Sequence, residues 1–332
     1  MRLGFFGRSL AAAALCLLFP GIPGTLAAGF DRVSVPIAGG GAAEGGVWYP
    51  SAARPGPVAV GPFTLNAAPG APIEGDGLPV VLVSHGTGGW FGGHHDTAEA
   101  LADAGFVVAA LSHPGDNVRD GSGLAGQRRL ATRPGHLADL AAFVTGSWRG
   151  AGRVDPARIG AFGHSAGGYS AVVAAGAEPD LGALRPHCAA AGAADRLCPL
   201  LMAQADAIEA LEVRSPRLRI RAVALAAPAP GVVFGKGSLE GVAPGTALAI
   251  WSAGADEVLG GTAHADRIAE AWPGPVERRT IPAAGHFVFL APCPEVLAAS
   301  APEACRDPEG TDRAAVHRAL NEALARFFRA AL

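Results

Sequence analysis

Gly163-His164-Ser165-Ala166-Gly167 stands between an apolar run, Ile159-Gly160-Ala161-Phe162, and a stretch of alanine, valine and glycine from Ala166 to Ala177. The run reads as a short buried strand, and the stretch as a helix able to pack closely under a sheet. Asp155-Pro156-Ala157-Arg158, just upstream, reads as a turn. A G-x-S-x-G placed where a strand passes into a helix makes a sharp bend that holds the serine hydroxyl at the tip of a sheet, ready to attack a carbonyl. A glycine-serine surface loop would match the same five letters, but it would not carry these flanks.

Outward from this bend, strand and helix alternate. Pro79 to Ser84 is predicted as a strand, Asp96 to Ala104 as a helix stopped by Gly105, and Phe106 to Leu111 as the next strand. His136 to Trp148 has helical periodicity, with Leu137, Leu140, Ala141 and Val144 on one face. Ile220–Ala226, Thr246–Trp251 and Val276–Ile281 read as later strands, and Asp312–Leu332 as a closing helix. Alternation of this kind predicts the α/β class: one mostly parallel central sheet with helices on both faces. Reactive groups then gather at the carboxyl ends of the strands. Val47 to Val60, rich in proline and glycine, is expected to add antiparallel edge strands before the parallel core.

A serine hydroxyl is a weak nucleophile at neutral pH and needs a base, itself oriented by a third group. Asp256 follows the Thr246 strand and His286 follows the Val276 strand. The chain order serine, acid, histidine is that of α/β-hydrolases. Asp256 is chosen over Glu257 and Asp266 because it lies nearest a strand end. His286 is chosen over His264 and His317, which fall in helix-like stretches. Negative charge on the tetrahedral intermediate must meet backbone N–H groups. Ala166, following the serine, supplies one. His85-Gly86-Thr87-Gly88-Gly89, after the Pro79 strand, supplies a loop whose candidate donor is Thr87.

With these residues in view the chain resembles a serine α/β-hydrolase, in particular the group around predicted dienelactone hydrolases and platelet-activating-factor acetylhydrolase-like esterases. The matching segments are Val83 to Gly89, Ala104 to Ala110, Ile159 to Gly168, Asp256 and Gly285-His286-Phe287. The resemblance implies hydrolysis of small-molecule or lipid-like carboxylic esters through an acyl-enzyme on Ser165, without metal or organic cofactor. It departs from dienelactone hydrolases proper in having serine at the nucleophile position where they have cysteine. A serine peptidase or amidase would use the same residues on the same fold. A non-catalytic binding protein on a hydrolase scaffold is the reading from another class.

Residues 1–28 have the layout of a cleavable export signal: Arg2 and Arg8, then the apolar run Leu10 to Phe19, then Thr25-Leu26-Ala27-Ala28. A secreted or periplasmic protein is expected, with residues 29–332 as one domain. The apolar run is too short for a stable membrane span, which takes about 20 residues, and Pro20 and Pro23 break it. A formal net charge of −3 and the lack of any basic block exclude nucleic acid as an expected partner. Self-association is not legible. In an oxidising compartment Cys188 is expected to pair with Cys198 and Cys293 with Cys305, each closing a short loop. Four cysteines allow three connectivities, and proximity selects this one. Residues 176–219 interrupt the alternation and are read as a small helical cap-like insert. Trp90 and Phe91, after the oxyanion loop, are expected to line the substrate pocket. His94-His95-Asp96 invites a metal reading, but with neighbouring histidines facing different ways no metal site is expected, and Asp96 is taken as a helix cap.

Overall fold

The computed structural model describes Met1 and residues 26–332. The export signal read over residues 1–28 lies, apart from its ends, outside the described residues. Ala27 and Ala28 already form the first rungs of a strand, opposite Ser51 and Pro50. Cleavage after Ala28 would therefore remove two residues of the sheet.

Among the described residues ten strands form one sheet: β1 Ala27–Pro36, β2 Ala42–Ser51, β3 Gly56–Val60, β4 Phe63–Pro69, β5 Leu78–Ser84, β6 Val107–Leu111, β7 Val154–His164, β8 Ile220–Ala226, β9 Ala247–Ala253 and β10 Val276–Ile281. Their order is β10-β9-β8-β7-β5-β6-β2-β1-β4-β3. From β10 to β6 every neighbouring pair is parallel. The N-terminal strands extend the sheet, β2 antiparallel to both β6 and β1, and β3 antiparallel to β4. The central strands are buried on both faces, as a sheet sandwiched between helices requires. Val80 and Leu82 of β5 face one core, Val81 and Val83 the other.

The helices are α1 His95–Asp103, α2 Arg129–Ala142, α3 Ala166–Ala174, α4 Leu184–Ala191, α5 Leu197–Met202, α6 Ala205–Glu209, α7 Ala263–Ala271, α8 Glu295–Ser300, α9 Pro302–Cys305 and α10 Arg313–Ala331. Helices α2, α3 and α7 bury Leu137, Val172 and Ile268 in one core, while α1 and α10 bury Leu101 and Leu324 in the other. Helix α2 begins seven residues before its expected start and carries Pro134 inside it. Proline has no N–H, so the Leu130 carbonyl four residues back loses its helical donor. The buried Tyr169 hydroxyl donates to that carbonyl at 3.2 Å, which lets the helix run through. Asp312 caps α10 by accepting from the Ala315 amide at 3.0 Å. Asp96, by contrast, does not cap α1; its carboxylate turns to His317 and Asn321 of α10 and ties the two helices together.

Both cysteine pairs are bonded, Cys188 to Cys198 and Cys293 to Cys305. The insert holds α4, α5 and α6, and its Leu181, Leu184, Leu201 and Ile208 are buried in the α2–α3 core. Of residues 176–219 only Leu197 reaches the cleft described below, so the insert flanks the site where a cap had been expected.

Candidate active site

Ser165 has φ +51° and ψ −120°, a conformation L side chains rarely adopt. The bend is possible because its neighbours are glycines. A Cβ on Gly163 would run into the Gly167 carbonyl, and one on Gly167 into the Ser84 carbonyl. The Ser165 amide stays in the sheet by donating to the Ala226 carbonyl at 2.9 Å. The side chain is thereby lifted from the end of β7 into a cleft of about 420 Å³.

His286 enters the same cleft from a short turn, His286–Phe289, that follows β10. Its Nδ1 donates to the Asp256 carboxylate at 2.9 Å, which leaves Nε2 as the ring nitrogen free for the cleft. Asp256, beyond β9, is 7 % exposed, and its other oxygen accepts from the Val258 and Leu259 amides at 2.9 and 2.7 Å. The two rival acids have other partners. Glu257 accepts from the His286 backbone amide at 2.9 Å, and Asp266 pairs with Thr262 and Arg278. The structure thus brings Asp256 to His286, and both Ser165 and His286 to one cleft. The Ser165 hydroxyl has no hydrogen-bond partner among the described residues; in substrate-free sites this contact commonly tightens only with substrate in place.

The turn carrying His286 is held by three buried histidines from three parts of the chain. His164, inside the serine bend, donates Nε2–H to the His286 carbonyl at 3.2 Å. His317 of α10 donates to the Val288 carbonyl at 2.8 Å, and His94 to the Phe289 carbonyl at 3.0 Å. Burial pushes His94 down to about 4 and His164 well below the ordinary imidazole range, so both are neutral donors at pH 7. His94 and His317 thus serve the turn next to His286, a role that neither a metal reading nor a competition for the base anticipated.

Gly86 lies directly beneath the serine: a Cβ there would sit 3.4 Å from the Ser165 Cβ. Thr87 lines the cleft, and among the described residues neither its amide nor that of Ala166 has a hydrogen-bond partner. Two N–H groups are therefore free beside the serine. Trp90 lines the cleft, stacked on Phe63 with ring centroids 6.1 Å apart. Phe91 does not line it. Its ring is 1 % exposed and lies beneath Trp90, edge-on to that ring at 5.0 Å between centroids, packed into the core against Trp48. The remaining wall is mainly apolar, with Leu197, Val258, Phe287, Leu290 and Leu297, and it also includes Arg119.

Among the described residues one cluster has ligand-like spacing, His187, Asp195 and His264. Its hydrogen bonds account for it. Both imidazoles direct Nε2 at the same Asp195 oxygen, at 2.8 and 2.9 Å, and His264 Nδ1 accepts from the Gly231 amide at 3.0 Å. A metal on His264 Nε2 would require a proton on Nδ1, facing that N–H, so the residues do not fit a metal. His94 and His95 also part company, His95 pairing with Glu99 at 3.0 Å.

Residues 94–191 match the prolyl oligopeptidase family of peptidases, less than a third of the chain. A stretch of 121 residues is 36% identical to a protein described as "Putative esterase NocK" from Nocardia uniformis subsp. tsuyamanensis, covering 36% of this chain and 34% of that one. The match thus spans about a third of this relative's length. The ferulic acid esterase of Streptomyces cinnamoneus superposes with a TM-score of 0.60 at 18% identity, over 95% of this chain and 92% of that chain. The dienelactone hydrolase of Anabaena variabilis ATCC 29413 superposes with a TM-score of 0.49 at 16% identity, over 92% of this chain and 99% of that one. The sheet order and the superposition on the ferulic acid esterase together show an α/β-hydrolase fold.

Proposed function

We propose that the protein is an exported hydrolase that cleaves small carboxylic esters through an acyl-enzyme on Ser165. The observation that carries the reading is the Asp256–His286 pair, 2.9 Å apart, opening on the cleft into which the strained bend lifts Ser165. His286 Nε2 takes the hydroxyl proton as Ser165 Oγ bonds to the ester carbonyl carbon. Asp256 fixes the tautomer and stabilises the imidazolium. The Thr87 and Ala166 N–H groups receive the charge that develops on the carbonyl oxygen. The imidazolium then gives its proton to the leaving alkoxide as the ester C–O bond breaks. Water, deprotonated by His286, attacks the acyl carbon and releases the acid and Ser165. The apolar cleft, walled by Phe63, Trp90, Leu197 and Leu297, suits an uncharged, hydrophobic acyl or alkyl group. Two disulfides favour an oxidising compartment, which supports the export reading.

The match to the prolyl oligopeptidase family favours a second reading, amide hydrolysis with the same residues. One set of measurements separates the outcomes: a fluorophosphonate probe, a nitrophenyl ester series of rising acyl length, and matched nitroanilides. Labelling at Ser165 with ester turnover, both abolished in Ser165→Ala and turnover abolished in His286→Ala, is the expected result. Anilide turnover rivalling that of the esters would move the protein to the peptidases. An unlabelled Ser165 without turnover would leave a binding protein.

A further inference from the structure

Behind the oxyanion loop lies a buried ionic cluster that the hydrolytic scheme does not use. Arg133 of α2 is 1 % exposed, and Asp116, in the loop after β6, is 0 % exposed. They pair at 2.7 Å through Arg133 Nη1. Arg133 Nη2 donates to the His85 carbonyl and to Ser84 Oγ. The other Asp116 oxygen accepts from the Gly88 amide at 2.8 Å. His85 is also fixed from the side, its Nε2 accepting from the His113 amide at 3.1 Å. Thr87 therefore sits inside a span whose two ends, the His85 carbonyl and the Gly88 amide, are gripped by one ion pair.

A buried ion pair is a poor source of stability, because desolvation cancels most of its attraction. The pair here does something an apolar pair could not: it grips both a carbonyl and an N–H, the two kinds of backbone group that set the plane of the intervening peptides. We propose that Arg133, locked by Asp116, is a positioning residue that aims the Thr87 N–H at the carbonyl oxygen of the bound ester. The proposal rests on the hydrolase reading above. Charge in the cluster points the same way. Arg129 lies 3.9 Å from the same Asp116 oxygen, so two guanidiniums share one carboxylate. Burial and the Arg133 charge hold the neighbouring His85 and His136 down to about 3 and about 4, and His113 well below its ordinary range. All three are neutral at pH 7, and the cluster keeps a net positive charge behind the loop where an oxyanion forms.

The test uses the full chain and two variants, Arg133→Gln and Arg133→Lys, with competent sites counted by fluorophosphonate titration. Four quantities are read: kcat and KM for a short nitrophenyl ester, Ki for a trifluoromethyl ketone that forms the tetrahedral oxyanion on Ser165, and Ki for the carboxylate product. Removing one oxyanion donor costs about 10²–10³ in kcat, so a donor merely misaimed is expected to cost about 10–100-fold in Arg133→Gln. KM and the product Ki should stay within about twofold, while the ketone weakens by the same factor as kcat/KM. Arg133→Lys keeps the charge but lacks the planar fork that reaches Asp116 and the His85 carbonyl in fixed directions, and should recover part of the loss; it also serves if the glutamine variant does not fold. Unchanged kcat per titrated site, or a ketone Ki that does not follow kcat/KM, overturns the proposal while leaving the hydrolase reading intact. A wild-type chain with no labelling and no turnover overturns both.

Discussion

On one side of the cleft, Asp256, His286 and the turn after it are fixed by directional hydrogen bonds. The opposite side, from Phe63 and Trp90 round to Leu290 and Leu297, is apolar and has little of this bonding; it is shaped by ring stacking and by the Cys293–Cys305 bond, whose Cys293 itself lines the cleft. Under the proposed function the difference follows from what each side would do. A proton transfer tolerates little angular error, so its groups are held by hydrogen bonds, whereas a wall that selects an acyl group by shape needs bulk and closure.

The most severe break of the bonded side is Asp256→Asn. It retains the shape but presents an amide to His286 Nδ1, and kcat is expected to fall by about 10⁴ with a thermal midpoint close to that of the wild type. A fall of less than tenfold in steady-state kinetics would show that Asp256 is not the orienting acid. The two disulfides sharpen the contrast. Cys293→Ser with Cys305→Ser and Cys188→Ser with Cys198→Ser should each cost about 2–3 kcal/mol in chemical denaturation, since the loops are of similar length. The first pair should alter the ratio of long-chain to short-chain ester turnover more, by about three- to tenfold, because one of its own cysteines, Cys293, lines the cleft whereas the second pair reaches it only through Leu197 beside Cys198. Equal shifts in both double variants would erase the distinction between wall and flank.

Acid should also separate the sides. His85, His94, His113, His136 and His164 all have depressed proton affinity in the fold. Their contribution to stability is present above about pH 6.5, where the unfolded imidazole is neutral, and is lost as pH falls toward 4, because only the unfolded chain takes up protons over that interval. Asp103, raised to about 6, acts in the opposite direction but is a single group. The urea midpoint should therefore drop steeply between pH 6.5 and 4.5, and a flat profile would contradict the buried-neutral assignment. The smallest effect concerns the bend. Ser165→Gly should be about 0.5–1 kcal/mol more stable than Ser165→Ala in denaturation, as glycine accepts a positive φ without strain, although its freer unfolded chain offsets part of the gain.

The parallel core was legible because each strand is a short apolar run beside a turn, and Ser165, Asp256 and His286 were legible because each lies at a strand end in a local pattern. Residues whose role is set by distant partners were not. Nothing near Arg133 or Asp116 in the sequence announces that the two meet beneath residues 85–88. His94 and His317 look like a metal fragment and a helix residue until the 286–289 turn is placed between them. The early start of α2 was hidden by Pro134, because the Tyr169 hydroxyl that relieves it comes from another helix. Phe91 was misplaced because adjacency to the oxyanion loop says nothing about which way a turn residue faces.

The hairpin of β3 and β4, at the far edge of the sheet, sends Gly61 and Phe63 into the cleft, while the last lining residue is Ala304. Segments from Gly61 to Ala304 must come together before the cavity has all its sides. A growing polypeptide on the ribosome would hold Ser165 long before it held His286, and its cleft would stay incomplete until the last lining residue had been made. Under the proposed function, ester turnover would thus report that segments well before and well after Ser165 have found their places.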